Sequence, residues 1–355
     1  MSIVRALVVD DSRVVRQLVT AALTMDPGIQ VVGEAQDGIE ALQEVLRLDP
    51  DVVVLDIEMP RMSGLDVVHA LHVSHPRLPI IMFSSLTERG AKVTVDALLA
   101  GASDYVLKPT RMDGPEVALR AVNAELVPKI RVLCSRSGPS VPAKSQQQAP
   151  ARPPARATSR RPGPAPAPDV IVIGTSTGGP DVLVTVLSAL PATSRVPVLI
   201  AQHMPPMFTA MFAARLDRTV PTHVSEGHDG QPLEPGHVYL APGDQHMEVV
   251  QTLRGVMLKT HQSPREENSR PSASVLLRSA ARVYGERTLA VILTGMGTDG
   301  LLGCQAVHDA GGAVLAQDEK SSIVWGMPGA VVRAGLADAV LTPEALARRL
   351  AREAA

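Results

Sequence analysis

The sequence predicts two α/β domains, each built on a parallel sheet and joined by a tether. Three observations carry this. The 355 residues, 45% of them apolar, suffice for two cores. Short apolar runs alternate with stretches of helical period in two separate blocks. Between the blocks, from Glu125 to Asp169, there is no further acidic residue and no aromatic, and proline, alanine, arginine, serine and glutamine dominate Ser135 to Pro168.

In the first block, Leu7–Val9, Val31–Val32, Val52–Leu55, Ile80–Phe83 and Tyr105–Leu107 read as strands. Aliphatic residues recur at i, i+3 and i+4 between them: Val14/Val15/Leu18/Val19, Ala41/Leu42/Val45/Leu46, Leu65/Val67/Val68/Leu71 and Val95/Leu98/Leu99. That period suits helices packed on a parallel sheet, and five βα units result. The stretch that follows cannot bury enough apolar surface to fold, and its 34 residues would span on the order of 30 Å as a coil. Its arginines (Arg152, Arg156, Arg160, Arg161) are read as solvated. In the second block, strands are expected at Val170–Ile173, Val196–Ala201 and Leu289–Leu293. Helices are expected near Pro180–Leu190, Phe208–Leu216, Ser274–Tyr284 and Pro343–Arg352.

A formal net charge of −2 offers no electrostatic reason to bind nucleic acid or an anionic membrane. Cys134 and Cys304 lack the spacing of a zinc site or a disulfide framework, which points to a reducing compartment. No apolar run reaches about 18 residues and no signal-peptide pattern opens the chain, so a cytoplasmic location is expected.

Chemistry gathers at strand ends. Asp10 and Asp11 follow the first strand and Asp56 the third; in an open parallel sheet these three acids should face one crevice. Their mutual repulsion calls for a cation, and Mg²⁺ suits hard oxygen ligands while keeping water positions that a phosphoryl group can enter. Ser84 ends the fourth strand and Lys108 the fifth, so a hydroxyl and an ammonium complete a cradle for a phosphoryl group on Asp56. His69, His72 and His75 recur on the third helix without a supporting carboxylate arrangement and are read as a solvated face.

In the second block the first strand runs into Gly174-Thr175-Ser176-Thr177-Gly178-Gly179-Pro180. A serine on a glycine-flanked strand-to-helix turn is an exposed nucleophile, with backbone N–H groups nearby for a developing oxyanion. Neither a Rossmann GxGxxG spacing nor a Walker lysine is present. The next strand ends at Gln202-His203, and a later one runs into Thr294-Gly295-Met296-Gly297-Thr298-Asp299-Gly300. Nucleophile, base and orienting acid would thus share one rim, the arrangement acyl transfer needs. The order Ser…His…Asp excludes an ordinary α/β-hydrolase, which runs Ser…Asp…His. His223, His228, His237, His246, His261 and His308 do not end an apolar strand beside a glycine-rich turn and are read as structural or surface residues. Asp244, the rival to Asp299, is read as a turn residue.

The first block resembles the response-regulator receiver family through Asp10-Asp11-Ser12, Asp56-Ile57-Glu58-Met59-Pro60 with Ser63-Gly64, Ser84-Ser85, and Gly101-Ala102-Ser103-Asp104-Tyr105 before Lys108-Pro109. The resemblance implies a flavodoxin-like (βα)5 receiver in which Asp56 accepts a phosphoryl group from a histidine kinase. It also implies Mg²⁺ held by Asp10, Asp11, Asp56 and the backbone of Glu58, and switch roles for Ser84 and Tyr105. The second block resembles the protein-glutamate methylesterase domain of bacterial chemotaxis through IGTSTGGP, AQHMPPMFT, LAPGDQHMEV, ILTGMGTDGLLG and QDEKSSIVWGMPGAV. By that resemblance Ser176 is the nucleophile, His203 the general base and acid, and Asp299 the residue that orients His203; no cofactor enters the ester chemistry. The backbone N–H groups of Thr177 and Met296 are the oxyanion candidates.

The implied organisation is a receiver over 1–130, a Pro/Arg-rich linker over 131–168 and a methylesterase domain over 169–355. The implied activity is demethylation of glutamate methyl esters, with deamidation of glutamines, on chemoreceptors, under control of a phosphorylated receiver that otherwise covers the site. Two departures stand out: Thr175 where alanine is usual, and Ser269–Ser274 without the usual His and Asp. The alternatives are a receiver-controlled signalling adaptor without relevant hydrolysis, against which the intact Ser176, His203 and Asp299 count, and a transcription factor, for which a basic helix-turn-helix is missing.

Overall fold

Hydrophobic alternation in the first block produces five parallel strands. The computed structural model describes residues 3–109, 114–135 and 166–355. β1 (Val4–Val9), α1 (Arg13–Thr24), β2 (Ile29–Ala35), α2 (Gly38–Leu48), β3 (Val52–Asp56), α3 (Gly64–Ser74), β4 (Ile80–Ser84), α4 (Glu88–Leu99), β5 (Asp104–Leu107) and α5 (Pro115–Cys134) follow one another. The sheet order β2-β1-β3-β4-β5 is that of a flavodoxin-like domain. β3 and β4 are buried along their whole length, as a sheet covered on both faces requires. Local chemistry starts the helices: Asp37 accepts from the N–H groups of Ile39 and Glu40, and Ser63 with Asp66 forms a capping box on α3. α5 continues to Cys134, past the boundary expected at residue 130. Residues 136–165, which make up most of the expected linker, lie outside the described residues.

The second block holds β6 (Val170–Thr175), α6 (Gly179–Leu187), β7 (Val198–Gln202), α7 (Pro206–Asp217), β8 (His223–Glu226), β9 (His237–Leu240), β10 (His246–Thr252), β11 (Gly255–His261), α8 (Ala273–Tyr284), β12 (Thr288–Ile292), α9 (Leu301–Asp309), β13 (Ala313–Gln317), α10 (Met327–Arg333), β14 (Ala339–Leu341) and α11 (Pro343–Glu353). Seven strands form one parallel sheet in the order β14-β13-β12-β6-β7-β9-β8, and β10 pairs with β11 as an antiparallel hairpin. β6 lies between β7 and β12. Their C-terminal ends are therefore neighbours at the rim where the chain reverses its winding.

The two domains touch. Tyr105 of β5 stacks on Phe208 of α7, with ring centroids 4.9 Å apart and planes 12° from parallel. Asp96 of α4 pairs with Arg215 of α7 at 3.0 Å. Buried Leu98 and Ala102 of the first domain join the same apolar cluster as Leu183 and Phe208 of the second.

Candidate functional site

The acidic crevice forms as the strand ends require. Asp10, Asp11 and Asp56 converge with carboxylate oxygens within 4.8 Å of one another. Lys108 reaches across β4 to place its Nζ 2.7 Å from Asp10 Oδ2 and 2.8 Å from Asp56 Oδ1. Burial raises the pKa of Asp56 to about 6; the Lys108 charge works against this rise and the Asp10 charge adds to it. Three carboxylates with one ammonium leave an excess of oxygen ligands, a donor set that fits a divalent cation such as Mg²⁺. The Glu58 side chain turns to Arg89 at 3.0 Å, so any contribution from Glu58 comes from its carbonyl. Ser84 Oγ is buried and 2.6 Å from Thr94 Oγ1 of α4. Gly64 is dictated by space: a Cβ there would lie 2.1 Å from the Asp56 carbonyl oxygen. His69 and His72 are exposed, as a solvated face requires, whereas His75 is half-buried at the C-cap of α3; none of the three belongs to a metal-competent cluster among the described residues.

In the second domain Ser176, His203 and Asp299 follow β6, β7 and β12. Gly178 takes a φ of 76°, which lets the chain turn sharply from β6 into α6. The Ser176 N–H donates to the Thr294 carbonyl (3.1 Å), and Gln202 Nε2 donates to the Ser176 carbonyl (3.1 Å), so the nucleophile turn is held from both flanking strands. Thr175 adds a further tie, its Oγ1 donating to the same Thr294 carbonyl at 3.0 Å. This hydroxyl is a local reason for the first departure from the family pattern.

His203 Nε2 lies 2.8 Å from Asp299 Oδ2, leaving Nδ1 as the ring nitrogen available to Ser176. No hydrogen bond joins Ser176 Oγ to His203 among the described residues. Asp299 is 2% exposed. Burial opposes its charge, but the His203 hydrogen bond and charge and the N–H groups of Ser274 and Ala273 outweigh it and bring its pKa down to about 2. Oδ1 accepts from Ser272 Oγ (2.8 Å), Ser274 N–H (3.0 Å) and Gly300 N–H (2.8 Å), and Oδ2 from Ala273 N–H (2.7 Å).

Sequence reasoning missed this clamp, because Ser269–Ser274 reads only as a departure from the family pattern. The available signal was Ser272 ahead of a predicted helix, an N-cap that places free amides beside whatever packs there. Ser274 serves α9: its Oγ accepts from Gly300 N–H at 2.9 Å. Asp244, in a left-handed turn with a φ of 56°, pairs instead with Arg270 at 2.6 Å.

A cleft of about 480 Å³ contains Ser176, Thr177, His203 and Met296, and its opposite wall is Asp104, Tyr105 and Lys129 of the first domain. Thr177 Oγ1 donates to Asp104 Oδ2 at 2.5 Å, so the residue after the nucleophile is engaged by the receiver-like domain. Lys129 Nζ supports Asp104 from behind at 2.9 Å.

Two family models match this chain: the response regulator receiver domain over residues 6–119 and the CheB methylesterase over residues 171–350. A protein-glutamate methylesterase/protein-glutamine glutaminase of Nocardioides sp. is 48% identical, covering 99% of this chain and 96% of that protein. Its counterpart in Trichodesmium erythraeum is 40% identical, with 98% of each covered. The crystal structure of the Thermotoga maritima CheB methylesterase catalytic domain is 40% identical with a TM-score of 0.51, covering 52% of this chain and 98% of that one. With both domains matched in the same chain and full-length relatives aligned almost end to end, this chain belongs to the receiver-bearing CheB methylesterase family.

Proposed function

We propose that this protein removes methyl groups from glutamate methyl esters on chemoreceptors, with Ser176, His203 and Asp299 as its catalytic triad. The carrying observation is the adjacency of β12, β6 and β7, whose ends bear the three residues, with His203 2.8 Å from a buried Asp299. Ser176 Oγ attacks the γ-carbonyl carbon while His203 Nδ1 takes its proton. The oxyanion lies toward the N–H groups of Thr177 and Met296, which carry no other hydrogen bond among the described residues. The C–O bond then breaks, and methanol leaves with the proton from His203. Water, deprotonated by the same ring, hydrolyses the acyl-enzyme to free glutamate. A glutamine side chain follows the same course with ammonia leaving.

Control lies in the first domain. Asp56 accepts a phosphoryl group from a histidine kinase of the chemotaxis pathway. Asp10, Asp11, Asp56 and the Glu58 carbonyl would hold Mg²⁺, which neutralises charge during that transfer. The contact of Asp104 with Thr177 supports a reading in which the unphosphorylated receiver covers the cleft. Among the described residues no helix is long and apolar enough to cross a membrane, and we place the enzyme in the cytoplasm, where receptor tails and kinase are reached.

Methanol release from methylated receptor fragments tests both halves. Wild type should release methanol faster with a small phosphodonor and Mg²⁺. Ser176→Ala should lose at least ~10³-fold in rate with its fold retained. Asp56→Asn should keep basal release and lose the stimulation. Substantial turnover by Ser176→Ala would refute the triad, and undiminished stimulation of Asp56→Asn would refute the phosphorylation site.

A further inference from the structure

We infer that His246 is a positioning residue for the triad, holding the start of α8 so that Ser272 and its neighbours clamp Asp299 against His203. The inference rests on the triad assigned above and extends it to the β10–β11 hairpin, whose contribution to the site is otherwise unaccounted for.

His246 opens β10 and is 1% exposed. Its Nε2 lies 3.1 Å from the Pro264 carbonyl, which can only accept, and its Nδ1 lies 3.3 Å from the Ser272 N–H, which can only donate. These partners specify a neutral ring protonated on Nε2. Ser272 is fully buried and caps α8, where a first-turn N–H finds no partner within the helix. His246 supplies the acceptor for its own N–H. Ser272 Oγ is thereby aimed at Asp299 Oδ1 (2.8 Å), and the Ala273 and Ser274 N–H groups at both carboxylate oxygens. A continuous run of hydrogen bonds thus leads from the hairpin through Ser272 and Asp299 to His203.

Protonation would place an Nδ1–H against the Ser272 N–H and break the first link. The groups facing His246 are His261, its cross-strand partner on β11 with ring centroids 5.5 Å apart, together with Arg270 and Glu266. Burial, with the charges of His261 and Arg270, pushes the His246 pKa below the ordinary imidazole value, against the Pro264 carbonyl and Glu266, which raise it.

The test uses the full-length protein with a phosphodonor and Mg²⁺. It measures phosphonylation of Ser176 by a fluorophosphonate, which needs the triad but no receptor. His246→Asn keeps an acceptor near the Nδ1 position, whereas His246→Leu fills more of the space and keeps none. A positioning role predicts labelling about tenfold slower for Leu and within about threefold of wild type for Asn, with the acid limb of the pH profile displaced in Leu alone. A packing role predicts the reverse order.

Equal rates for Leu and wild type, or Asn as slow as Leu, would overturn the inference. A wild type that is not labelled would remove the triad and this role with it. One that is labelled but releases no methanol would condemn only the proposed substrate. If the Leu variant does not fold, nitrogen NMR of histidine-labelled wild type decides. At pH 6.5, where a free imidazole is about half protonated, His246 should remain mainly neutral with its proton on Nε2; an Nδ1–H tautomer or a half-protonated ring would sink the proposal.

Discussion

Asp299 sets burial against charge within one side chain. An isolated buried carboxylate would take up a proton, yet Asp299 keeps its charge because four donors from Ser272, Ala273, Ser274 and Gly300 surround it and His203 faces it. Its pKa of about 2 lies below the ordinary aspartate value of 3.8, a depression equivalent to about 2 kcal/mol. The sign follows: a depressed carboxylate stabilises the fold fully above the unfolded value, and that stabilisation is lost as the pH falls toward 2. Trp325 is the single tryptophan of the chain and lies in the second domain, so its fluorescence follows urea unfolding of that domain. Asp299→Asn should be less stable than wild type by about 2 kcal/mol at neutral pH, with the gap closing between about pH 4 and pH 2. A gap that stays constant with pH would show that the charge of Asp299 contributes nothing.

At the scale of elements, two helix N-termini meet at Asp299, and each depends on the other. The N-cap of α9 is Gly300, which has no side chain to cap it, and Ser274 of α8 accepts from the N–H groups of Gly300 and Gly303 in its place. Ser274→Ala should therefore lower stability by about 1–2 kcal/mol, read from the urea midpoint of Trp325 fluorescence. An unchanged midpoint would mean that the α9 amides find another acceptor. Little of this is visible in the sequence, where Ser274 belongs to a segment, Ser269–Ser274, that stands out only for lacking the usual His and Asp. What was legible came from apolar strands with chemistry at their ends: β1, β3, β4, β6, β7 and β12 are nearly continuous apolar runs, and Asp10, Asp56, Ser84, Ser176, His203 and Asp299 end or follow them. β8 to β11, β13 and β14 were not foreseen: β8 (His223–Glu226) has no apolar run, and the apolar runs within β9, β10, β11, β13 and β14 are at most four residues long. The spatial order β12-β6-β7 was equally hidden, since more than 80 residues separate β7 from β12 along the chain.

At the scale of the whole molecule, the contact between domains joins an apolar cluster, in which Leu98 and Ala102 meet Leu183 and Phe208, to a few specific side-chain pairs. The receiver contributes Asp104 to Thr177, Tyr105 to Phe208 and Asp96 to Arg215. Arg215 and Asp96 are partly exposed, so water weakens their pairing and the stacked Tyr105 ring carries more of the contact. Tyr105 also belongs to β5, whose neighbour β4 ends at Ser84 beside the acidic crevice. A change at Asp56 thus has a short path, through Ser84 and β5, to the ring that touches the esterase domain. Tyr105→Ala leaves every esterase residue in place and removes one aromatic contact worth about 1–1.5 kcal/mol, so the uncovered population should rise roughly 5- to 13-fold. Basal methanol release without phosphodonor should rise by that factor, toward the stimulated rate of wild type, while the rate of the fully stimulated enzyme stays the same. A basal rate equal to that of wild type would place the restraint elsewhere in the contact, and a fall in the stimulated rate would show that Tyr105 assists the esterase rather than restraining it.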